Sequence, residues 1–248
     1  MKRITYLLLL PLLTNFAFAA EKDVESKLKA ALTAEVRESK EIARDKNRKP
    51  LQTLSFFGLD DDMSVLELLP GGGWYTKLLA PILSEKGKLY VALGTGAVKT
   101  LSKTQGFENI SVLDTGAKIE KPPGEPLYTV SEFKLGVDNL DIIFTFRNYH
   151  NFNLEGRNAI NNAAFKALKS GGVYAVVDHT RRHMQSSNDE NGRRFDPVLA
   201  IKEIQAAGFR FEDYSTLHYR PDDELRYEVG RKSVTGNTDR FTLKFVKP

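Results

Sequence analysis

Short apolar runs alternate along this chain with longer stretches in which apolar residues recur every three or four positions, the mark of buried strands between amphipathic helices. Val24, Leu28, Ala31, Leu32 and Val36 place one apolar stripe on a charged segment, predicting a helix from Asp23 to about Arg44. Pro50 then discourages further helix, and a hydrophobic segment from Leu51 to Leu59 leads through Asp60, Asp61 and Asp62 to a first strand, Val65–Leu69. Three consecutive glycines, Gly71, Gly72 and Gly73, follow Pro70, and Leu78, Leu79, Ile82 and Leu83 then mark a helix. Lys88–Leu93 and Ile110–Leu113 read as a second and third strand, and the nearly continuous apolar run Asp141–Phe146 as a fourth, buried on both faces. A helix is expected over Asn158–Leu168, a fifth strand over Val173–Val177, and a helix over Pro197–Ala207, capped by Asp196. Phe209–Tyr219 and Arg240–Val246 alternate apolar with polar residues, as antiparallel partners do.

Strands alternating with helices predict an α/β fold: a doubly wound, mostly parallel sheet with right-handed crossovers, ending in an antiparallel strand pair and preceded by an N-terminal helix. Ligands of such sheets sit at the carboxyl ends of the strands, near the point where the strand order reverses. That rule gathers Pro70–Trp74, Leu93–Gly96, Asp114–Ala117 and Arg147–Asn151 around one crevice, with Asp178 and His179 at its far side. The glycines let the backbone take positive φ and let a ligand approach the main chain, which suits an anionic or nucleotide-like molecule as well as a merely flexible turn. Arg44, Asp45 and Arg48 form a charged cluster that fits either a lid over this turn or a solvated connector.

Composition narrows the setting. Lys2 and Arg3 precede the apolar run Leu7–Leu13, and Ala17-Phe18-Ala19 has the small-x-small form of a signal-peptidase site, so residues 1–19 are expected to be a cleaved signal peptide and the mature chain periplasmic or secreted. Pro11, Thr14 and Asn15 interrupt the apolar run, which is shorter than the roughly 20 residues of a spanning helix. No membrane span is expected after cleavage. The chain has 248 residues, a formal charge of +4 and no cysteine. Thiol catalysis, disulfides and Cys-based zinc sites are therefore excluded, and the interspersed charges show no basic stripe for nucleic acid.

Taken together, Val65-Leu66-Glu67-Leu68-Leu69-Pro70-Gly71-Gly72-Gly73-Trp74-Tyr75-Thr76, the Ser170-Gly171-Gly172 stop, Val177-Asp178-His179, Phe195-Asp196-Pro197 and the closing Thr238–Phe245 resemble the class I S-adenosylmethionine (SAM)-dependent methyltransferases, and within them the predicted secreted or periplasmic methyltransferases. The resemblance implies a seven-stranded Rossmann-like sheet, with residues 20–58 an N-terminal helix and connector and residues 59–248 the methyltransferase-like domain. By position, Glu67, Gly71 and Gly73 would hold the methionine part of SAM, Pro70, Gly72 and Trp74 would join them in binding the cofactor, and Asp114 would serve the adenine end. The sequence departs from the family pattern in two places. Leu69 stands at the first glycine of G-x-G-x-G, and Ala92-Leu93-Gly94-Thr95 carries no acid for the ribose, a loss of about 1.5–3 kcal/mol of hydrogen bonding.

Methyl transfer asks for an acceptor held in line with the methyl group and sometimes for a base. His150 is the expected base, with Tyr149 and Asn148 positioning the acceptor, a small molecule or an envelope component. Asp178 and His179, adjacent on a strand, point to opposite faces and so form no direct dyad. The His179 and His183 pair lacks a third ligand and is not read as a metal site. The absent G-x-G-x-x-G weighs against a nicotinamide-dependent dehydrogenase. A methyltransferase fold that has lost catalysis and serves as a binding protein of the cell envelope is the alternative reading.

Overall fold

A computed structural model describes residues 23–248, so the signal-peptide segment Met1–Ala19 lies outside the described residues. The single long helix expected at the N-terminus is broken into pieces. Helix α1 spans residues 23–32 and stops where the Arg37 Nη1 donates to the Leu32 carbonyl oxygen at 2.8 Å. Arg37 also pairs with Asp45, tying the chain back on itself. Helices α2 (Ser39–Ile42) and α3 (Asp45–Arg48) are single turns, and α4 (Pro50–Phe57) starts with proline in its first turn after Lys49 in a left-handed conformation, φ 43°.

Beyond this segment the order is β1 (Ser64–Leu68), α5 (Thr76–Ile82), β2 (Lys88–Ala92), α6 (Gly96–Leu101), β3 (Ile110–Val112), the small hairpin β4 (Ile119–Glu120) and β5 (Thr129–Val130), and β6 (Leu140–Phe146). A 3-10 turn (Tyr149–Asn151), α7 (Leu154–Ala167), β7 (Leu168–His179), α8 (Pro197–Ala206), β8 (Arg210–Tyr214) and β9 (Arg240–Val246) complete it. Seven strands form one sheet in the order β3-β2-β1-β6-β7-β9-β8. The pairs from β3 to β7 are parallel, whereas β9 runs antiparallel to both β7 and β8. The expected terminal antiparallel pair is present, with the last strand inserted between its predecessors.

Alternate residues of the central strands face opposite layers. Leu66, Leu68, Ile143, Tyr174 and Val176 pack with α7 and α8 on one side. Val65, Ile142, Phe144 and Val177 pack on the other side with α5 and with Leu28, Leu54 and Phe57 from the N-terminal segment. That segment is thus part of the main core. Parity along β1 also puts Glu67 on the Val65 side, beneath α5. The strand order reverses between β1 and β6, so the loops after these two strands flank the crevice.

Candidate active site

Immediately after β1 the backbone turns through left-handed conformations at Leu69 (φ 54°), Gly71 (φ 56°) and Gly73 (φ 78°). Leu69 therefore holds a backbone conformation that favours glycine, at the steric cost an L-residue bears there. Its N–H donates to the Ala92 carbonyl at 2.9 Å, tying the turn to the end of β2. A Cβ added at Gly71 or Gly72 would meet no atom within 4 Å, so both residues leave open space above the turn. Gly73 differs, because a Cβ there would meet Val98 and Leu101 of α6 at 3.4 Å.

Glu67 forms the floor. It is buried, and the Thr76 hydroxyl donates to its Oε2 at 2.6 Å. Burial pushes its carboxyl up to about 7, against the hydrogen bond from Thr76 and the nearby Arg48, which favour the ionised form. A crevice of about 430 Å³ opens above it, walled by Gly71, Gly72 and Trp74 on one side and by Arg147 and Asn148 on the other.

The N-terminal segment closes the third side. Trp74 Nε1 donates to the Glu41 carbonyl at 2.9 Å, and Lys77 Nζ bonds Glu41 Oε2 at 2.8 Å and the Val36 carbonyl at 3.1 Å. The Arg48 guanidinium lies 4.3 Å from the centre of the Trp74 ring. Arg44 and Arg48 line the crevice as the lid reading has them, while Asp45 turns away to Arg37. His218 clips the lid in place: its Nε2 donates to the Arg48 carbonyl at 3.0 Å, and its Nδ1 accepts from the Thr242 hydroxyl at 2.7 Å. Burial holds this imidazole down at about 4, so it is neutral.

Opposite the glycine turn, Arg147 (φ 61°) swings the chain out of β6. Asn148 Nδ2 donates to the carbonyls of Leu69 at 3.1 Å and Phe146 at 3.0 Å, bridging the ends of β1 and β6. His150 meets a partner that adjacency in sequence hides. Asp178, at the end of the neighbouring β7, accepts from His150 Nδ1 at 2.6 Å, from the His150 backbone N–H at 2.9 Å and from the His179 N–H at 2.7 Å. Three donors fill the two oxygens of this buried side chain, and with Asp178 Oδ1 as acceptor the His150 Nδ1 carries the proton and Nε2 the lone pair. Among the described residues nothing bonds to Nε2, and His150 lines a second chamber of about 370 Å³. This chamber adjoins the crevice and shares Arg44, Arg48 and Arg147 with it.

Two expected site residues are placed elsewhere. Tyr149, expected to position an acceptor, is turned into the core by the 3-10 turn: its hydroxyl donates to Glu203 Oε2 at 2.9 Å, accepts from Asn161 Nδ2 at 2.9 Å, and its ring packs edge-on against Phe195. Asp114 is exposed beyond β3, where its Oδ1 accepts from the Gly116 N–H at 3.2 Å in a local turn, and it lines neither chamber.

His179 and His183 serve different partners, Thr238 Oγ1 at 2.8 Å and Asp196 Oδ2 at 2.9 Å. Burial and the neighbouring Arg240 push His179 well below the usual imidazole range, so it is neutral. Asp60, Asp61 and Asp62 also gather at one turn, but Asp61 is held by Lys27 at 2.6 Å and Lys86 at 3.0 Å. Arg147 lines both chambers, as its place in the Arg147–Asn151 segment leads one to expect, whereas Arg240 carries no local signal for the role. Arg240 begins antiparallel β9 at the same end of the sheet as Arg147, just after β6, a position that only the insertion of the last strand reveals.

No family model matches the sequence, and a search of curated proteins finds none that matches it. Solved structures do resemble the fold. A SAM-dependent methyltransferase from Aquifex aeolicus superposes with a TM-score of 0.57 at 18% identity, covering 90% of this chain and 98% of that one. The [4+2]-cyclase SpnF gives 0.56 at 14% identity, covering 93% and 95%. The glycopeptide N-methyltransferase MtfA, complexed with S-adenosyl-L-homocysteine (SAH), gives 0.52 at 12%, covering 82% and 87%. The chain has the class I methyltransferase fold, a fold that also carries a cyclase.

Proposed function

We propose that this protein is a SAM-dependent methyltransferase that binds its cofactor at the glycine turn and uses His150 as the base toward an acceptor in the adjoining chamber. The observation that carries the reading is the continuity of the two spaces: the open backbone of Gly71 and Gly72 and the His150–Asp178 pair flank the strand-order reversal and are joined through Arg48 and Arg147. The fit to SAM is good at the amino-acid end. Gly71 and Gly72 offer room that any side chain would fill, and Glu67 is an acid beneath them for a cationic group. At the ribose end the chain offers Leu93 in place of a carboxylate, so less of the affinity comes from that side.

When bound, SAM would supply an electrophilic methyl group. The protein's own part is to orient and to move a proton. Asp178 holds Nδ1–H, leaving Nε2 to accept a proton from the acceptor, and the same carboxylate stabilises the imidazolium that results. Asn148 locks the two flanking loops at a fixed separation. The leader pattern of Lys2, Arg3 and Leu7–Leu13 supports export, with a small molecule or envelope component as acceptor. Among the described residues no helix is long and apolar enough to cross a membrane.

Calorimetric titration of residues 20–248 with SAM and with SAH tests the reading. Micromolar binding with a raised melting temperature is the expected result. Absence of binding at millimolar ligand would overturn it in favour of a non-catalytic binding protein.

A further inference from the structure

The second chamber is unusual in its charge. Arg44, Arg48, Arg147, Arg193 and Arg240 all line it, and no aspartate or glutamate does. Elsewhere this protein answers its buried arginines with carboxylates: Arg157 with Glu203 at 2.7 Å, Arg194 with Asp223 at 2.8 Å, and Arg37 with Asp45. In the chamber only Arg193, on its rim, is so paired, with Glu228. Among the described residues no carboxylate pairs with Arg44, Arg48, Arg147 or Arg240. Arg240 is 7% exposed, and its buried Nε has no hydrogen-bond partner. Arg48 is equally hidden, at 5%.

Arg240 Nη1 bonds the Asn47 carbonyl at 2.9 Å and Arg48 stacks on Trp74, but buried cations without an opposing charge are costly, and like charges gathered around one space add to the cost. The strain registers on the groups themselves: burial first, then Arg147, pulls the Arg48 guanidinium down to about 8, and burial with Arg147 pulls Arg240 down to about 10. A doubly charged anion in the chamber would relieve all of these at once. Several guanidinium groups lining one space, from the lid, after β6 and at the start of β9, can share the two charges and the several oxygens of one phosphate, which a single carboxylate does not offer them.

We infer that the chamber is a binding site for the phosphate group of a small phosphomonoester, gripped by Arg44, Arg48, Arg147 and Arg240 beside His150. That this ester is the methyl acceptor rests on the function proposed above; the anion site itself does not.

Titration of the protein with inorganic phosphate at low salt tests the site. Saturable binding is expected, weakened about tenfold or more in Arg240→Gln, which lines this chamber and not the glycine-turn crevice. Arg44→Gln, at an exposed position, should weaken it too and guards against a folding defect in the buried variant. No saturable binding by the wild type, or equal binding by both folded variants, would overturn the inference. Glycerol phosphate should compete with phosphate; competition only by phosphatidylcholine vesicles containing phosphatidic acid would overturn the small-molecule assignment. SAM titrated in parallel separates the two readings: phosphate binding without SAM binding sinks only the methyltransferase, and the reverse sinks only the anion site.

Discussion

His150 and Asp178 stand 28 positions apart in the chain and 2.6 Å apart in space, because the parallel strands β6 and β7 end side by side. If Nε2 is the base, His150→Gln, which keeps the size of the side chain, should lower turnover by about 10²–10⁴-fold. SAM affinity should be unchanged. SAH formation with a phosphorylated acceptor is the readout, and unaltered turnover would remove His150 from the chemistry.

Gly72 lacks a positive φ, and a Cβ there meets only open space, so the fold tolerates a side chain at this position. Gly72→Val should therefore leave the melting temperature near that of the wild type while abolishing SAM binding. Retained binding would put the cofactor somewhere other than the crevice above the turn.

Glu67 makes stability depend on pH in an unusual direction. Its folded-state value, about 7, lies above the 4.5 of a free glutamate. Between these two values the folded protein holds more protons than the unfolded chain, so this residue's contribution falls as pH rises from about 4.5 to 7. Glu67→Gln, which still accepts from Thr76, should be more stable than the wild type at pH 8 by on the order of 2–3 kcal/mol, with the difference vanishing in acid. Urea unfolding of both proteins across pH measures it. A difference independent of pH would mean that burial does not govern this carboxyl.

Tyr149 belongs to a core network with Glu203, Arg157 and Asn161. Tyr149→Phe should cost about 1–2 kcal/mol of stability and leave SAM affinity untouched. Glu203→Ala should cost more, about 3–5 kcal/mol, because it strands the Arg157 charge. Denaturant midpoints decide between them, and a turnover defect in a fully folded Tyr149→Phe protein would restore a role at the acceptor.

The sheet was legible because each central strand is an apolar run closed by glycine or polar residues, a local signal. The glycine turn was legible for the same reason. Pairings made across the sheet were not. Asp178 looked like a neighbour of His179, and only strand adjacency gives it to His150. Tyr149 looked like a companion of His150, yet one 3-10 turn sends its ring to the opposite layer. Helix α1 was expected to run to Arg44, but the Arg37 bonds to Leu32 and Asp45 that end it are contacts no stripe of apolar residues reports. Arg44, Arg48 and Arg147 were legible one by one as crevice residues, but Arg240 was not, and their charges converge on one chamber only after folding.

The last strand lies in the interior of the sheet, and this sets an order of events for the newborn chain. Until residues 240–246 are in place, β7 presents a bare edge and β8 has no partner. The lid waits as well, since Arg240 Nη1 holds the Asn47 carbonyl across 193 positions and Thr242 supports the His218 clip. Contacts of such long range close slowly. The pocket therefore closes only with β9 in place, and a chain cut short before β9 would expose an adhesive strand edge and have no closed pocket.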